Sequence, residues 1–174
     1  MPDKSPISYS IDIKRLPQKG FPVTVKPTEK ELAALAAEHG LIAVGSFEAE
    51  LLARDWKRTG VIVTGRVRAE IVQECVVTLE PIPALIDQQI EATFVPEGSP
   101  LARPADPDGE MFFDLDGPDS PEVFDGDKID VGALAEEIFA LAIDPYPRKQ
   151  GAELPSAGDG QQQSPFARLR DRLS

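Results

Sequence analysis

Residues 61–74, VIVTGRVRAEIVQE, set Val61, Val63, Val67, Ala69 and Ile71 in alternation with Thr64, Arg66, Arg68 and Glu70. A period of two kept over this length fits a strand with one buried face and one wet face. Strands of the same habit flank it. FEAELLAR precedes it across a turn near Asp55–Gly60. ALIDQQIEATFVPE follows, with Ile86, Ile90, Ala92 and Phe94 opposed to Asp87, Gln89, Glu91 and Thr93. The pattern is β from Leu41 to Val95, and the short connections favour an antiparallel meander or open β-barrel over a parallel sheet.

Outside that stretch the signals are shorter. ISYSIDI alternates Ile7, Tyr9, Ile11 and Ile13 against Ser8, Ser10 and Asp12, and predicts a half-buried strand. Gly20 and Pro22 break the chain before a short second strand, FPVTVKP. Thr28 and Glu31 form a capping-box pair, Leu32, Leu35 and Ala36 make an apolar stripe, and Gly40 suits a left-handed terminus, which predicts a helix over 28–39. Val131, Leu134, Ile138, Phe139 and Leu141 recur at helical spacing and predict a second helix over 129–143, with Asp130 as N-cap and DPYP as its stop. The class is α+β, with two helices.

The 17 prolines concentrate attention on the irregular parts. PEGSPLARPADPDGE, residues 96–110, reads as a long surface loop, and MFFDL after it suits one further strand. RKQGAELPSAGDGQQQS, residues 148–164, has too little apolar content to order itself. PFARLRDRL then brings Phe166, Leu169 and Leu173 onto one helical face. These features predict a single α+β domain over 1–147, with an acidic loop over 96–127 inside it, and a flexible linker with a short amphipathic motif over 148–174.

Charge is unevenly spread. Residues 106–137 hold 12 acidic and 1 basic side chain, against 14 acidic and 12 basic in residues 1–105, for a net charge of −12 overall. One segment therefore carries almost the whole excess. It repels phosphate backbones, which argues against DNA as a partner and limits RNA contact, and it suits a basic protein. Arg66 and Arg68 share the wet face of their strand and are the candidates for touching RNA phosphate; the acids beside them suit a solvated sheet face equally. The N-terminus lacks a signal-peptide stretch, and the apolar runs LAALAA and IFALAI are too short to cross a bilayer. The expectation is a soluble, cytoplasmic protein with no membrane contact.

Chemistry-bearing patterns are sparse. Zinc sites need about four Cys, His or carboxylate ligands, and this chain has one cysteine, Cys75, with Thr78 three residues on, and one histidine, His39. A nucleophilic Cys75 would need His39 beside it. The bland reading is a small buried hydrophobe at the end of a strand. The runs DLDGPD and DGDKID look like calcium loops, but with Asp114 as position one Gly117 falls at position four rather than six, and Ile129 stands where a ligand belongs after Asp125 and Asp127. No phosphate loop, G-x-S-x-G or H-E-x-x-H occurs. The expectation is no enzyme, no cofactor and no metal. The competing class is a small acidic enzyme with a deep carboxylate-lined pocket, or a metal-responsive module.

Three stretches, ECVVTLEP, IDVGALAEEIFALAIDPYP and the terminal SPFARLRDRL, together resemble the bacterial YceD family, from about residue 7 to 173. The resemblance implies a factor supporting accumulation of 23S ribosomal RNA and production of the large ribosomal subunit. Many members of that family carry C-x-x-C-L-E-P at this corner, which implies a metal or paired-thiol corner there. Here Cys75, Leu79, Glu80 and Pro81 are kept and Thr78 replaces the second cysteine. The family offers no catalytic residues to carry over. The expected partner is a ribosomal protein or assembly factor of the large subunit. It would be engaged by Asp114, Asp116, Asp119, Asp125 and Asp127 and by Phe166, Leu169 and Leu173.

Overall fold

The computed structural model describes residues 5–99, 102 and 121–152. MFFDL, Asp114, Asp116, Asp119, Phe166, Leu169 and Leu173 lie outside these described residues. The backbone carries strands β1 (Ser10–Asp12), β2 (Phe21–Val25), β3 (Ala43–Trp56), β4 (Gly60–Glu74), β5 (Pro81–Pro96), β6 (Glu122–Phe124) and β7 (Lys128–Asp130), with helices α1 (Glu29–Glu38) and α2 (Val131–Leu141). Strands β2 to β6 form one open sheet in sequence order, and β1 pairs with β7 in a separate antiparallel ribbon. The meander does not close into a barrel.

The long strands follow the predicted alternation. Val61, Val63, Val67, Ala69 and Ile71 are buried while Arg66, Arg68 and Glu70 are exposed. Strands of 14, 15 and 16 residues cannot stay flat, because every strand twists right-handedly. Gly65 marks the tightest point of this coiling: a Cβ there would stand 2.1 Å from the Glu50 carbonyl oxygen on the neighbouring strand. An irregularity between Val44 and Ser46 adjusts the far end of the β3–β4 pairing.

Both helices cover the buried face. Thr28 and Glu31 close the capping box, with the Thr28 N–H donating to Glu31 Oε2 at 2.7 Å, and α1 buries Leu35 and Ala36. At its end Gly40 adopts φ +64°, the left-handed turn that a glycine takes without strain. Asp130 caps α2 by accepting from the Ala133 N–H at 3.0 Å. Phe139, fully buried on α2, meets Phe47 of β3 edge-on at 5.4 Å and His39 at 5.6 Å. One ring thus joins α2, the sheet and the end of α1.

Several expectations need correction. Tyr9 is exposed (43%): its carbonyl and N–H bond Val131 and Asp130 while its ring stays outside, Ile7 and Ile11 are buried, and Ile13, in a short 3-10 turn after β1, is only partly buried. The second helix starts at Val131; Ile129 belongs to β7, where it pairs with Ile11, and Leu141 points to solvent. Within the acidic stretch, β6 joins the edge of β5 in parallel, Val95 opposite Val123, and buries Phe124. Three residues amid acids carry too little pattern to announce a strand. Beyond α2, the Lys149 N–H and the Pro147 carbonyl are both bonded to the β4–β5 corner.

Gly132 sits where α2 crosses the N-terminal segment, and a Cβ would stand 1.9 Å from the Ile7 carbonyl oxygen. Alanine in a helix interior normally stabilises by about 1 kcal/mol over glycine. Here Gly132→Ala is expected to give a net loss of about 1–3 kcal/mol through overpacking, measured by chemical denaturation.

Candidate functional site

The corner between β4 and β5 is the most heavily cross-bonded turn among the described residues. The chain leaves β4 at Glu74, turns through Cys75–Glu80 and enters β5 at Pro81. The Cys75 N–H donates to the Glu80 carbonyl and the Leu79 N–H donates to the Cys75 carbonyl, each at 2.9 Å. Leu79 takes φ +60°, uncommon for a side chain of its size. The segment after α2 closes over this turn. There the Val76 N–H donates to the Pro147 carbonyl at 3.0 Å, and Gln73 Nε2 donates to the Asp144 carbonyl at 2.8 Å.

The thiol lies at the centre and is fully buried. Its sulfur accepts the N–H groups of Thr78 and Lys149, each at 3.4 Å. The Thr78 hydroxyl foremost, then the Lys149 and Thr78 N–H groups, hold the thiol down to about 6 against the opposing effect of burial. Lys149 Nζ reaches Glu80 Oε2 at 2.9 Å and keeps that carboxyl below its usual range, with the Thr78 hydroxyl assisting. Around this buried hub Val76, Leu79 and Tyr146 stay exposed, Leu79 at 68%.

His39 is not brought to Cys75 as its base. Its Nε2 is hydrogen-bonded to Glu136 Oε1 at 3.0 Å, and the Ser5 hydroxyl donates to the other oxygen of that buried carboxylate. A serine nucleophile would need its proton taken by the histidine. Both bonds instead end on Glu136, which satisfies a buried carboxylate and ties the N-terminal segment and α1 to α2.

Arg66 forms a two-pronged pair with Asp87 of β5, with Nη2 to Oδ2 at 2.8 Å, and Arg68 lies 3.4 Å from Glu50 of β3. Lys26, just beyond β2, meets Glu48 of β3 at 2.8 Å. The outer sheet face is therefore a ladder of alternating charges that answer one another. Asp125 is exposed in the turn before β7, and Asp127 pairs with Lys14 at 2.7 Å. Where the acidic stretch returns to the sheet, Glu122 stays exposed, and its carboxyl is held above its usual range by loss of hydration against its neighbours and then by Glu137.

Among the described residues no group of three or more His, Cys, Asp or Glu side chains is placed to hold a metal ion. Two shallow grooves flank α1 and β2, and each is lined by a single carboxylate, Glu31 in one and Glu29 in the other. No helix among the described residues is long and apolar enough to cross a membrane.

Fold and surface together define a small α+β domain with an open sheet, a braced corner and a charge-balanced outer face. A family model described as large ribosomal RNA subunit accumulation protein YceD matches residues 63–171, more than half of the chain, and the chain belongs to the YceD family. The match begins within β4 and takes in the corner, the acidic stretch, α2 and most of the C-terminal motif. No curated protein and no solved structure matches the chain.

Sequence reading identified Cys75 but missed Lys149, Glu80 and Gln73 as its surroundings. The only local signal was the apolar-poor segment following a proline pair, which looked like linker.

Two pH effects follow. The folded thiol titrates near 6 rather than at its ordinary 9.0, so its stabilising contribution is complete above the unfolded value and is lost as pH falls toward 6. The stability advantage of the wild type over Cys75→Ser should shrink from pH 9 to pH 6 in denaturant titrations. A pH-independent difference would contradict the thiolate. Glu122→Gln removes a carboxylate that the fold disfavours, so it should raise the melting temperature at neutral pH. That gain should vanish once pH drops below the ordinary carboxyl value of 4.5.

Proposed function

We propose that the chain is a non-enzymatic adaptor in production of the large ribosomal subunit, acting in the cytoplasm on synthesis, processing or stability of the large ribosomal RNA. Family membership supplies the ribosomal context. The observation that carries the adaptor reading is the charge layout. The described sheet face neutralises its own cations, Arg66 on Asp87 and Arg68 on Glu50, while residues 106–137 hold the surplus of acid. A phosphate backbone gains little from such a face, and a basic protein gains much from the acidic segment.

In this reading Asp114, Asp116, Asp119 and Asp125 engage a basic ribosomal protein or assembly factor of the large subunit. Asp127 contributes less, because Lys14 already answers it. Phe166, Leu169 and Leu173 dock as one apolar face of a short helix, anchored at spacings of three and four residues. RNA contact through Arg66 and Arg68 is limited to what remains after their ion pairs, DNA is not a partner, and no membrane is involved. The grooves beside α1 and β2 each carry one carboxylate, which disfavours the alternative of an acidic enzyme working through paired carboxylates.

The test is affinity capture from cells followed by mass spectrometry and RNA sequencing, with sedimentation against ribosomal subunits. The full chain should co-sediment with precursors of the large subunit. Removing residues 164–174, or changing Asp114, Asp116 and Asp119 to Asn, should each reduce partner recovery several-fold at an unchanged melting temperature. Absence from every precursor fraction, with normal large ribosomal RNA in a deletion strain, would refute the ribosomal role. Undiminished capture by both variants would refute the adaptor.

A further inference from the structure

The donors gathered at the β4–β5 corner can be tested against a metal ion by their own chemistry. A zinc ion requires about four donors, of which the soft ones are thiolate and imidazole. This chain has only Cys75 and His39 to offer, and His39 is committed to Glu136 and packed against Phe139. The Cys75 sulfur is already the acceptor of two backbone N–H groups, from Thr78 three residues on and from Lys149 on the segment after α2. The Glu80 carboxylate at the rim is held by the Lys149 ammonium. The residues present do not fit a metal.

They fit a different device. Thr78, three residues on, presents its N–H and hydroxyl to the Cys75 sulfur. Lys149 arrives from 74 positions further along the chain and makes two contacts. Its N–H meets the buried sulfur, and its ammonium meets Glu80 on the rim. The Val76 N–H to Pro147 carbonyl bond fixes the same two segments alongside. A metal ion at such a corner would join two chain segments by sharing ligands between them. Here a sulfur acceptor, two N–H donors and an ammonium–carboxylate pair join the same two segments with no ion.

We infer that the β4–β5 corner is a metal-independent clasp, in which Thr78, Lys149 and Glu80 around the Cys75 sulfur fasten the segment after α2 to the sheet. Cys75 is then a positioning residue, and its sulfur is an internal acceptor with no reactive role.

Full-length protein, purified from zinc-supplemented culture, tests both halves. Metal analysis should find far less than one equivalent of zinc, and neither a strong chelator nor added zinc should shift the melting temperature. Stoichiometric zinc, or a fall in melting temperature on chelation, would overturn the inference. Amide hydrogen exchange tests the clasp itself. The Thr78 and Lys149 amides should be protected in the wild type and lose that protection in Cys75→Ala, while amides of α1 keep theirs. Thr78→Val combined with Cys75→Ala should cost less than the two single changes added together, since both break one contact. An unprotected Lys149 amide in the wild type, or strict additivity of the two changes, would overturn the clasp. Should Cys75→Ala unfold the chain, Cys75→Val, which fills more of the space and likewise lacks an acceptor, supplies the same exchange comparison.

Discussion

Three consecutive strands of 14, 15 and 16 residues present one long apolar face, and covering that face is the condition everything else answers. Leu35 and Ala36 of α1 and Val131, Leu134 and Ala135 of α2 cover it, and Phe139 ties them together at one point. Its buried ring lies edge-on to Phe47 of β3 and to His39 at the end of α1, so one side chain of α2 touches both the sheet and the other helix's end. Edge-on aromatic contacts of this kind add about 0.5–1.5 kcal/mol beyond burial. The close approach of Gly132 to the Ile7 carbonyl is what lets α2 descend far enough for the contact to form. The polar connection through Ser5, Glu136 and His39 sits at the margin of the same junction and orients it.

Much of the architecture is legible in the residues because local and long-range demands agree there. The alternation of β4 survives intact since one face is dry and the other wet, and Thr28–Glu31 caps α1 because the capping box is a purely local geometry. Tyr9 breaks the rule that alternation implies burial: Asp130 and Val131 bond its own N–H and carbonyl, and its ring stays outside while Ile7 and Ile11 turn inward. Strand β6 was illegible, since EVF has no length over which a period can show. It is ordered by Phe124 and by the free edge of β5.

The candidate site was legible only by half. Cys75 stands out in any reading of the chain, yet its neighbours come from residues 144–149, and nothing in RKQGAE announces a backbone N–H aimed at a sulfur. Such contacts are made by main chain, which sequence patterns do not record. The same limit applied to the arginines. Arg66 and Arg68 read as a basic stripe until the register set Asp87 and Glu50 beside them. Membership of the YceD family places these features in a ribosomal setting, and it covers the corner, α2 and most of the terminal motif as one unit.

The parallel pairing of β6 with β5 has a consequence for where the acidic stretch is held. Two parallel neighbours cannot be joined by a tight turn, so residues 97–121 form the obligatory bridge between adjacent strand ends. The entropy of closing such a bridge grows only slowly, by about 0.6 kcal/mol for each doubling of its length. The fold therefore fixes where this stretch starts and ends, at Pro96 on β5 and Glu122 on β6. The acid concentrated in residues 106–137 thus enters the chain largely between two anchored points of one sheet edge.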